Sequence, residues 1–267
     1  MLRCIEHPAA HLIAELDPMG ILSLTIQRPA CKNALDLPLY LQLQQAMEDA
    51  DQCQAVQVLI LRGNQQDFSA GNDIRSFLQL GELPAAGQAG CTPPFMFLKA
   101  LAQFSKPCIA AVRGVCIGVA NTLLLHCDWV YAEKSAVFQM PFVALGLSPE
   151  SAASLLLIQR AGYHRAAALL LSAQKYNAET ALKARVINEI VDDCDAKAYA
   201  QALQLVQLPT ASLIASKKLM KHNMAQILQC IDHEAEIVMQ RAASVEMVEA
   251  VSALLQKRSP DFRQFDA

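Results

Sequence analysis

The chain has 267 residues, of which 54% are hydrophobic, and its formal net charge at pH 7 is −3. This length allows one large domain, or one domain with an extension, and so apolar a composition excludes a disordered chain. A slightly acidic chain without a basic stripe also excludes nucleic acid as an expected partner.

The chain start and the cysteines predict a soluble, cytoplasmic protein. No basic segment followed by an apolar one opens the sequence, so no secretion signal is expected. The nine cysteines include no Cys-x-x-Cys pair, which is typical of free thiols in a reducing compartment. The most apolar stretch, residues 107–127, contains Arg113 and Asn121, so we expect no membrane span. Pro8 separates His7 from His11, and no metal site is predicted.

Hydrophobic periodicity predicts alternating strands and helices in the first two thirds of the chain. Strands are expected at residues 21–27, 56–61, 107–112, 129–132 and 136–140. Helices are expected at residues 36–49, 74–80, 95–104 and 118–126. We expect residues 81–94, which are rich in Gly, Pro and Ala, to be mobile or poorly ordered.

Helices dominate the rest of the sequence. They are predicted at residues 151–159, 164–171 and 178–184, with one strand at 186–191, and then from Asp193 to about Lys257. The pattern predicts an α/β fold with a core in residues 1–193 and a C-terminal helical region in residues 194–267.

Two segments combine small residues with the end of a predicted strand. Residues 69–73 read Ser-Ala-Gly-Asn-Asp, and in residues 113–121 Gly114 and Gly118 allow a tight turn before a helix opens at Val119. Such turns leave backbone N–H groups unpaired, and two of them could bind one developing oxyanion. Small-residue turns after strands are also ordinary structural features, so both interpretations remain open from these residues alone.

A third segment, Ser148-Pro-Glu150, has the pattern of a helix start. Ser148 is expected as the N-cap, Pro149 as the first helical residue, and Glu150 in the first turn. One interpretation is structural, because an acidic residue there complements the helix dipole. The other makes Glu150 a general base, which requires apolar burial near Phe142 and Leu147 to raise a pKa that the helix lowers.

Taken together, three segments resemble the crotonase superfamily of enoyl-CoA hydratases and isomerases. They are FSAGNDI (68–74), KPCIAAVRGVCIGVANTLLLHCDWVYA (106–132) and VFQMPFVALGLSPESAASLLL (137–157). The similarity covers about residues 21–191 and is greatest to the peroxisomal type of Δ3,Δ2-enoyl-CoA isomerase. It implies a spiral of repeated ββα units whose C-terminal helices assemble a homotrimer or homohexamer.

The resemblance also implies an acyl-CoA thioester substrate and no metal, flavin or nicotinamide cofactor, with coenzyme A present only as part of the substrate. The thioester oxygen would lie between the N–H groups of Asn72 and Val119. The residues that would contact coenzyme A are Lys32, Ala34, Ala70, Gly71, Asn72, Asp73, Ile74 and Lys257. Lys257 and Arg258 match a basic pair of the family, although a solvated helix end would have the same composition.

Departures from the hydratase pattern favour isomerisation. Thr122 and Phe142 occupy the positions of the two hydratase glutamates, and neither can act as an acid or a base. Glu150 matches the single glutamate of the isomerases. The resemblance therefore implies conversion of 3-enoyl-CoA to 2-trans-enoyl-CoA in fatty acid oxidation. Hydration, thioester hydrolysis and non-catalytic acyl-CoA binding remain the alternatives.

Overall fold

A computed structural model describes residues 11–74 and 88–265 of the chain. Its main sheet has six strands in the order β1-β2-β3-β4-β6-β9, in which β1 is antiparallel to β2 and the other neighbours are parallel. The strands of this sheet are β1 (Leu12–Leu16), β2 (Ile21–Ile26), β3 (Val58–Arg62), β4 (Cys108–Val112), β6 (Trp129–Glu133) and β9 (Glu189–Val191).

A second, smaller sheet contains β5 (Val115–Ile117), β7 (Val137–Gln139) and β8 (Lys175–Asn177). The strands β4 and β6 each continue directly into a strand of this sheet, and the isolated bridge between Ser69 and Cys116 adds the segment that follows β3. The chain therefore winds through both layers in successive turns. This is the expected α/β spiral with helices after it, and the fold prediction is confirmed.

The helices cover both layers and form the C-terminal third. They are α1 (Leu37–Gln52), α2 (Pro93–Gln103), α3 (Val119–Thr122), α4 (Ala153–Ala161), α5 (Tyr163–Ser172), α6 (Ala178–Lys183), α7 (Cys194–Leu205), α8 (Thr210–Met220), α9 (Met224–Ala242) and α10 (Val245–Leu255). Asp36 caps α1 by accepting the N–H of Leu39 at 3.0 Å. No helix among the described residues is long and apolar enough to cross a membrane.

Several predicted elements differ from the structure. Sequence periodicity missed β1, β5 and β8, because three to five residues with mixed burial carry little periodic signal. The strand predicted at 186–191 is limited to β9, and the helix predicted at 118–126 is α3 followed by a 3-10 turn, Leu123–His126. The helix predicted at 74–80 lies almost entirely outside the described residues, of which it includes only Ile74.

The expectation of a poorly ordered segment at 81–94 is wrong for residues 88–94, while residues 81–87 lie outside the described part. A 3-10 turn spans Ala89–Cys91, and α2 begins at Pro93. Lys99 fixes this turn, since its ammonium group donates to the Gly90 carbonyl at 3.0 Å and pairs with Asp232 of α9. Contacts from distant residues thus order a segment whose composition is typical of loops.

The helical region is attached to the main sheet through apolar and ionic contacts. Residues of α7 pack on the outer face of β2, β3, β4 and β6 in a separate buried cluster. Lys217 of α8 is buried, and its ammonium group donates to Asp128 Oδ2 at 2.6 Å and to the Lys106 carbonyl at 2.7 Å. Asp128 Oδ2 also accepts the N–H of Cys108 at 2.8 Å, at the start of β4.

We predict that Lys217→Met lowers the free energy of unfolding by about 3–5 kcal/mol, because it leaves the partly buried Asp128 carboxylate without its cation. The double variant Lys217→Met/Asp128→Asn should recover part of this loss. Chemical denaturation of the wild type, both single variants and the double variant measures the coupling. Strictly additive effects would contradict the assigned ion pair.

Candidate active site

Loops that follow successive strands meet at a cavity of about 480 Å³. One wall comes from the loop after β3, a second from the start of α3, a third from residues 139–147, and a fourth from α10 and the chain after it. The cavity is lined by Ala70, Asn72, Ile74, Ile117, Gly118, Val119, Gln139, Pro141, Phe142, Ala144, Leu145, Leu147, Lys175, Ala250, Leu254, Arg258 and Pro260. Most of these side chains are apolar, as expected for a site that binds an acyl chain.

Asn72 and Val119 both contribute to this wall, and both have an unused backbone N–H. On either side of Asn72, the Gly71 carbonyl accepts from Leu35 at 2.7 Å and the Asp73 N–H donates to Leu35 at 2.8 Å. Val119 is the first residue of α3, so its N–H has no partner within the helix. Neither N–H finds an acceptor in residues 11–74 and 88–265.

Gly71 explains how the two loops come so close together. Its φ is +84°, and a Cβ atom at this position would lie 2.4 Å from the Ile117 carbonyl oxygen. Only glycine allows both this left-handed conformation and this contact. The loop that carries Asn72 therefore lies directly on the strand that leads to Val119.

Tyr40 holds the side chain of Asn72, an arrangement that sequence reasoning missed. Its hydroxyl group is buried at the inner side of α1 and donates to Asn72 Oδ1. Burial, followed by the negative charge of Glu150, raises the pKa of Tyr40 well above its ordinary value. Tyr40 thus remains a neutral donor, and it lies close to both Asn72 and Glu150.

The segment around Glu150 does not form the predicted helix start. Helix α4 begins only at Ala153, and Ser151 and Ala152 have left-handed φ values of 70° and 53°. Ser148 caps nothing, and its hydroxyl group is buried without a partner among the described residues. The reason is that the cap comes from elsewhere in the chain, since Glu234 of α9 accepts the N–H of Ser154 at 2.9 Å.

The carboxyl group of Glu150 is buried, with 4% of the residue exposed. Its Oε1 atom has no hydrogen-bond partner in the described part of the chain. Burial, and secondly the charge of Glu234, raises the pKa of Glu150 to about 8. Because Glu150 precedes the helix, it does not occupy a first-turn position where the helix dipole would lower its pKa. Burial therefore does not have to overcome the effect of a helix, as the sequence had suggested.

Glu150 is not itself among the residues that line the open cavity. In sequence, the nearest lining residue is Leu147. Tyr40 connects the two parts of the site, since it donates to Asn72 and the charge of Glu150 is the second cause of its raised pKa.

The other predicted contact residues fall into two groups. Ala70 and Ile74 line the cavity, whereas Lys32, Ala34, Gly71 and Asp73 do not. Lys32 supports the site from behind, since its carbonyl accepts the N–H of Ala70 at 2.8 Å. Arg28 joins the same two loops by donating to the Ala34 carbonyl at 2.9 Å and to Asp73 Oδ2 at 2.8 Å.

Lys257 is not among the residues that line this cavity, and its predicted contact with coenzyme A stays a prediction. The chain reverses after α10, with a left-handed φ of 55° at Lys257, and it is Arg258 that lines the cavity. Arg258 is held by two bonds to Glu249, at 2.5 and 2.8 Å. Lys175 of β8 also lines the cavity and was missed, because β8 itself was not predicted.

Thr122 and Phe142, which by resemblance stand at the positions of the hydratase glutamates, are both buried. The Thr122 hydroxyl group donates to the Val119 carbonyl at 3.3 Å, and Phe142 forms part of the cavity wall. No group of three His, Cys, Asp or Glu side chains suited to a metal ion occurs in the part of the chain that the structure describes.

Comparison with known proteins assigns the family. Residues 17–265 match the profile of the enoyl-CoA hydratase/isomerase family, so the chain belongs to it and is an enzyme of this acyl-CoA-transforming class. This confirms the resemblance to the crotonase superfamily.

Individual relatives include both types of enzyme. The chain is 31% identical to 2,3-dehydroadipyl-CoA hydratase and 33% identical to 1,2-epoxyphenylacetyl-CoA isomerase, both of Escherichia coli, over 91% of this chain and 95% of theirs. It is 53% identical to an Acinetobacter baumannii protein assigned to the enoyl-CoA hydratases/isomerases. That crystal structure superposes with a TM-score of 0.86 over 90% of this chain and 100% of the other.

We predict that Glu150→Gln stabilises the fold relative to wild type as the pH rises. In wild type, the folded state retains the Glu150 proton up to about pH 8, whereas in the unfolded state Glu150 ionises above its ordinary pKa of 4.5. The free energy of unfolding of wild type therefore falls as the pH rises between these two values. Between pH 5 and 8 the variant should gain roughly 2–4 kcal/mol in free energy of unfolding over wild type. Denaturation at both pH values tests this, with the exposed Glu236→Gln as control. Parallel pH curves for wild type and Glu150→Gln would contradict a buried, protonated Glu150.

Proposed function

We propose that this enzyme isomerises 3-enoyl-CoA thioesters to the 2-trans isomers, with Glu150 moving the proton. The proposal is supported by one buried carboxyl group, with a pKa near 8, three residues after Leu147 of the cavity wall, and by two N–H groups of that wall without an acceptor among the described residues. Proton removal next to a thioester needs a base near neutral pKa and stabilisation of the enolate oxygen, and these groups supply both.

The reaction balances with one proton and one carboxyl group. The Glu150 carboxylate removes a proton from C2, and the electron pair spreads over the thioester oxygen and the C3–C4 double bond. The N–H groups of Asn72 and Val119 bind the oxygen of this dienolate. The Glu150 carboxyl group then returns the proton at C4, which leaves the double bond between C2 and C3. No redox step occurs, so no flavin or nicotinamide is needed.

Hydration is the main alternative, because one relative is a hydratase. Adding water to a 2-enoyl thioester requires the water to be activated and a proton to be delivered to the adjacent carbon. Thr122 uses its hydroxyl group within α3, and Phe142 makes its part of the wall apolar. These two residues favour isomerisation. The relatives also include the rat enoyl-CoA delta isomerase 2, which is 28% identical over 90% of this chain and 62% of that protein.

Substrate binding and assembly follow from the same proposal. Residues 70–74 would contact the pantetheine arm, and Lys32 with Ala34 the adenine end of coenzyme A. Large apolar side chains are exposed on the C-terminal helices, and they include Leu219, Met220, Val245, Val248 and Leu255. Exposed apolar surface of this kind supports a homotrimer or homohexamer.

We predict that Glu150→Gln lowers kcat for a 3-enoyl-CoA by about 10²–10⁴-fold while the acyl-CoA affinity changes little. A coupled assay that separates 2-enoyl-CoA from 3-hydroxyacyl-CoA gives the rate and the reaction type, and calorimetry with a saturated acyl-CoA gives the affinity. Glu236→Gln is the control and should match wild type. Retained isomerisation by Glu150→Gln would remove Glu150 as the base, and a 3-hydroxyacyl product would favour hydration.

We predict that Gly71→Ala lowers kcat by about 10²-fold or more, because the Cβ atom would displace the Asn72 N–H from the cavity wall. Gly162→Ala is the matched control, since Gly162 also has a positive φ of 78° but a Cβ atom added there would meet no heavy atom within 4 Å. Both variants carry about 1–3 kcal/mol of backbone strain. If both lost activity equally, strain and not the oxyanion site would explain the effect.

A further inference from the structure

Glu234 is a buried carboxyl group for which the proposed reaction has no use. It lies near the middle of α9, with 5% of the residue exposed, and it and Glu150 are the buried acidic residues in the described part of the chain. A buried carboxyl group costs free energy unless it is hydrogen-bonded or functional. Its surroundings therefore indicate what it does.

The contacts of Glu234 attach it to the turn that carries Glu150. Glu234 Oε1 accepts the Ser154 N–H at 2.9 Å and the Ser154 hydroxyl group at 2.5 Å. Helix α4 has no side-chain cap of its own, because its N-cap position is Ala152. Glu234 thus supplies that cap from 80 residues away and fixes the backbone just after Glu150.

The two carboxyl groups interact through their charges, since the charge of Glu234 is, after burial, the second cause of the raised Glu150 pKa. Glu150 Oε1 and Glu234 Oε2 are both buried without a hydrogen-bond partner among the described residues. Two neighbouring buried carboxyl groups do not both ionise near neutral pH, so one retains a proton. Burial raises the pKa of Glu234, and the hydrogen bonds from Ser154 oppose this rise by favouring its charged form, whereas Glu150 Oε1 has no donor among the described residues.

We propose that Glu234 is a positioning residue that holds the Glu150 turn in place and, through its negative charge, keeps the proton on Glu150 at neutral pH. This inference rests on the proposed function, because it explains why Glu150, the proposed proton carrier, is protonated at neutral pH. Before substrate binds, Glu150 is then mainly protonated, and the catalytic base forms as the pH approaches 8.

Three of the other titratable groups around this pair, Tyr40, Cys230 and His126, keep a constant charge between about pH 5 and 8. Tyr40 stays neutral, and the burial of Cys230 raises the pKa of its thiol. His126 lies 2.9 Å from the Ser151 carbonyl, and burial, followed by the charge of Lys221, lowers its pKa to about 3. Burial lowers the pKa of Lys221 to about 8, but the charge of Lys221 acts on His126 and not on Glu150.

Glu234→Gln is the most direct test, because the amide oxygen can still accept from Ser154 while the charge is lost. We expect the ascending limb of the pH profile of kcat/KM to move to lower pH by roughly one unit, with a few-fold lower maximum from the weaker base. Glu236→Gln, on the exposed side of the same helix, should leave the profile unchanged. A purely structural role of Glu234 would lower activity without moving the profile.

Infrared titration of the unliganded enzyme separates this inference from the proposed function. The infrared band of the protonated Glu150 carboxyl group is identified by its loss in Glu150→Gln. The pH midpoint of this band should be lower in Glu234→Gln than in wild type. Ser154→Ala, which removes one donor to Glu234 at an exposed position, should lower the midpoint by less, and it serves if Glu234→Gln does not fold. An unchanged midpoint in these variants overturns the inference even if Glu150 is the base. A shifted midpoint in an enzyme that lacks isomerase activity overturns only the proposed function.

Discussion

The proposed chemistry depends on one carboxyl group, that of Glu150, which is buried away from water. Burial, and secondly the charge of Glu234, is unfavourable for the charged form of Glu150, and this moves its pKa to about 8, where it can both take and return a proton. Exposure of the same side chain to solvent would restore an ordinary acid that is too weak a base. Under the proposed function, the packing around residues 147–154 is therefore part of the chemistry.

The spiral fold explains how the site is assembled from distant parts of the sequence. Each turn of the chain leaves the main sheet at the same edge, so the loops after β3, β4 and β6 arrive side by side. Gly71 allows the first of them to touch the second, and Tyr40 anchors Asn72 from the helix that precedes β3. The C-terminal helices complete the site, since α9 caps α4 and α10 closes one side of the cavity.

The sequence was informative where a motif is local. The small residues around Asn72 and Val119 and the order of three motifs were enough to predict the spiral fold and the family. It was uninformative where partners are distant, because nothing near Glu234 in the sequence indicates that it caps a helix starting at Ala153. The helix start predicted at Ser148 was wrong for the same reason, since a remote carboxylate replaces the local cap. Short strands such as β8 were missed, and Lys175 with them.

Following the migrating hydrogen tests the central claim most directly. A 3-enoyl-CoA that carries deuterium at C2 is converted in ordinary water, and the position of the label in the 2-enoyl product is read by mass spectrometry and nuclear magnetic resonance. A single buried carboxyl group that exchanges slowly with solvent predicts that a substantial share of the deuterium appears at C4. Complete loss of the label to water, from the first turnover onward, would contradict transfer by Glu150.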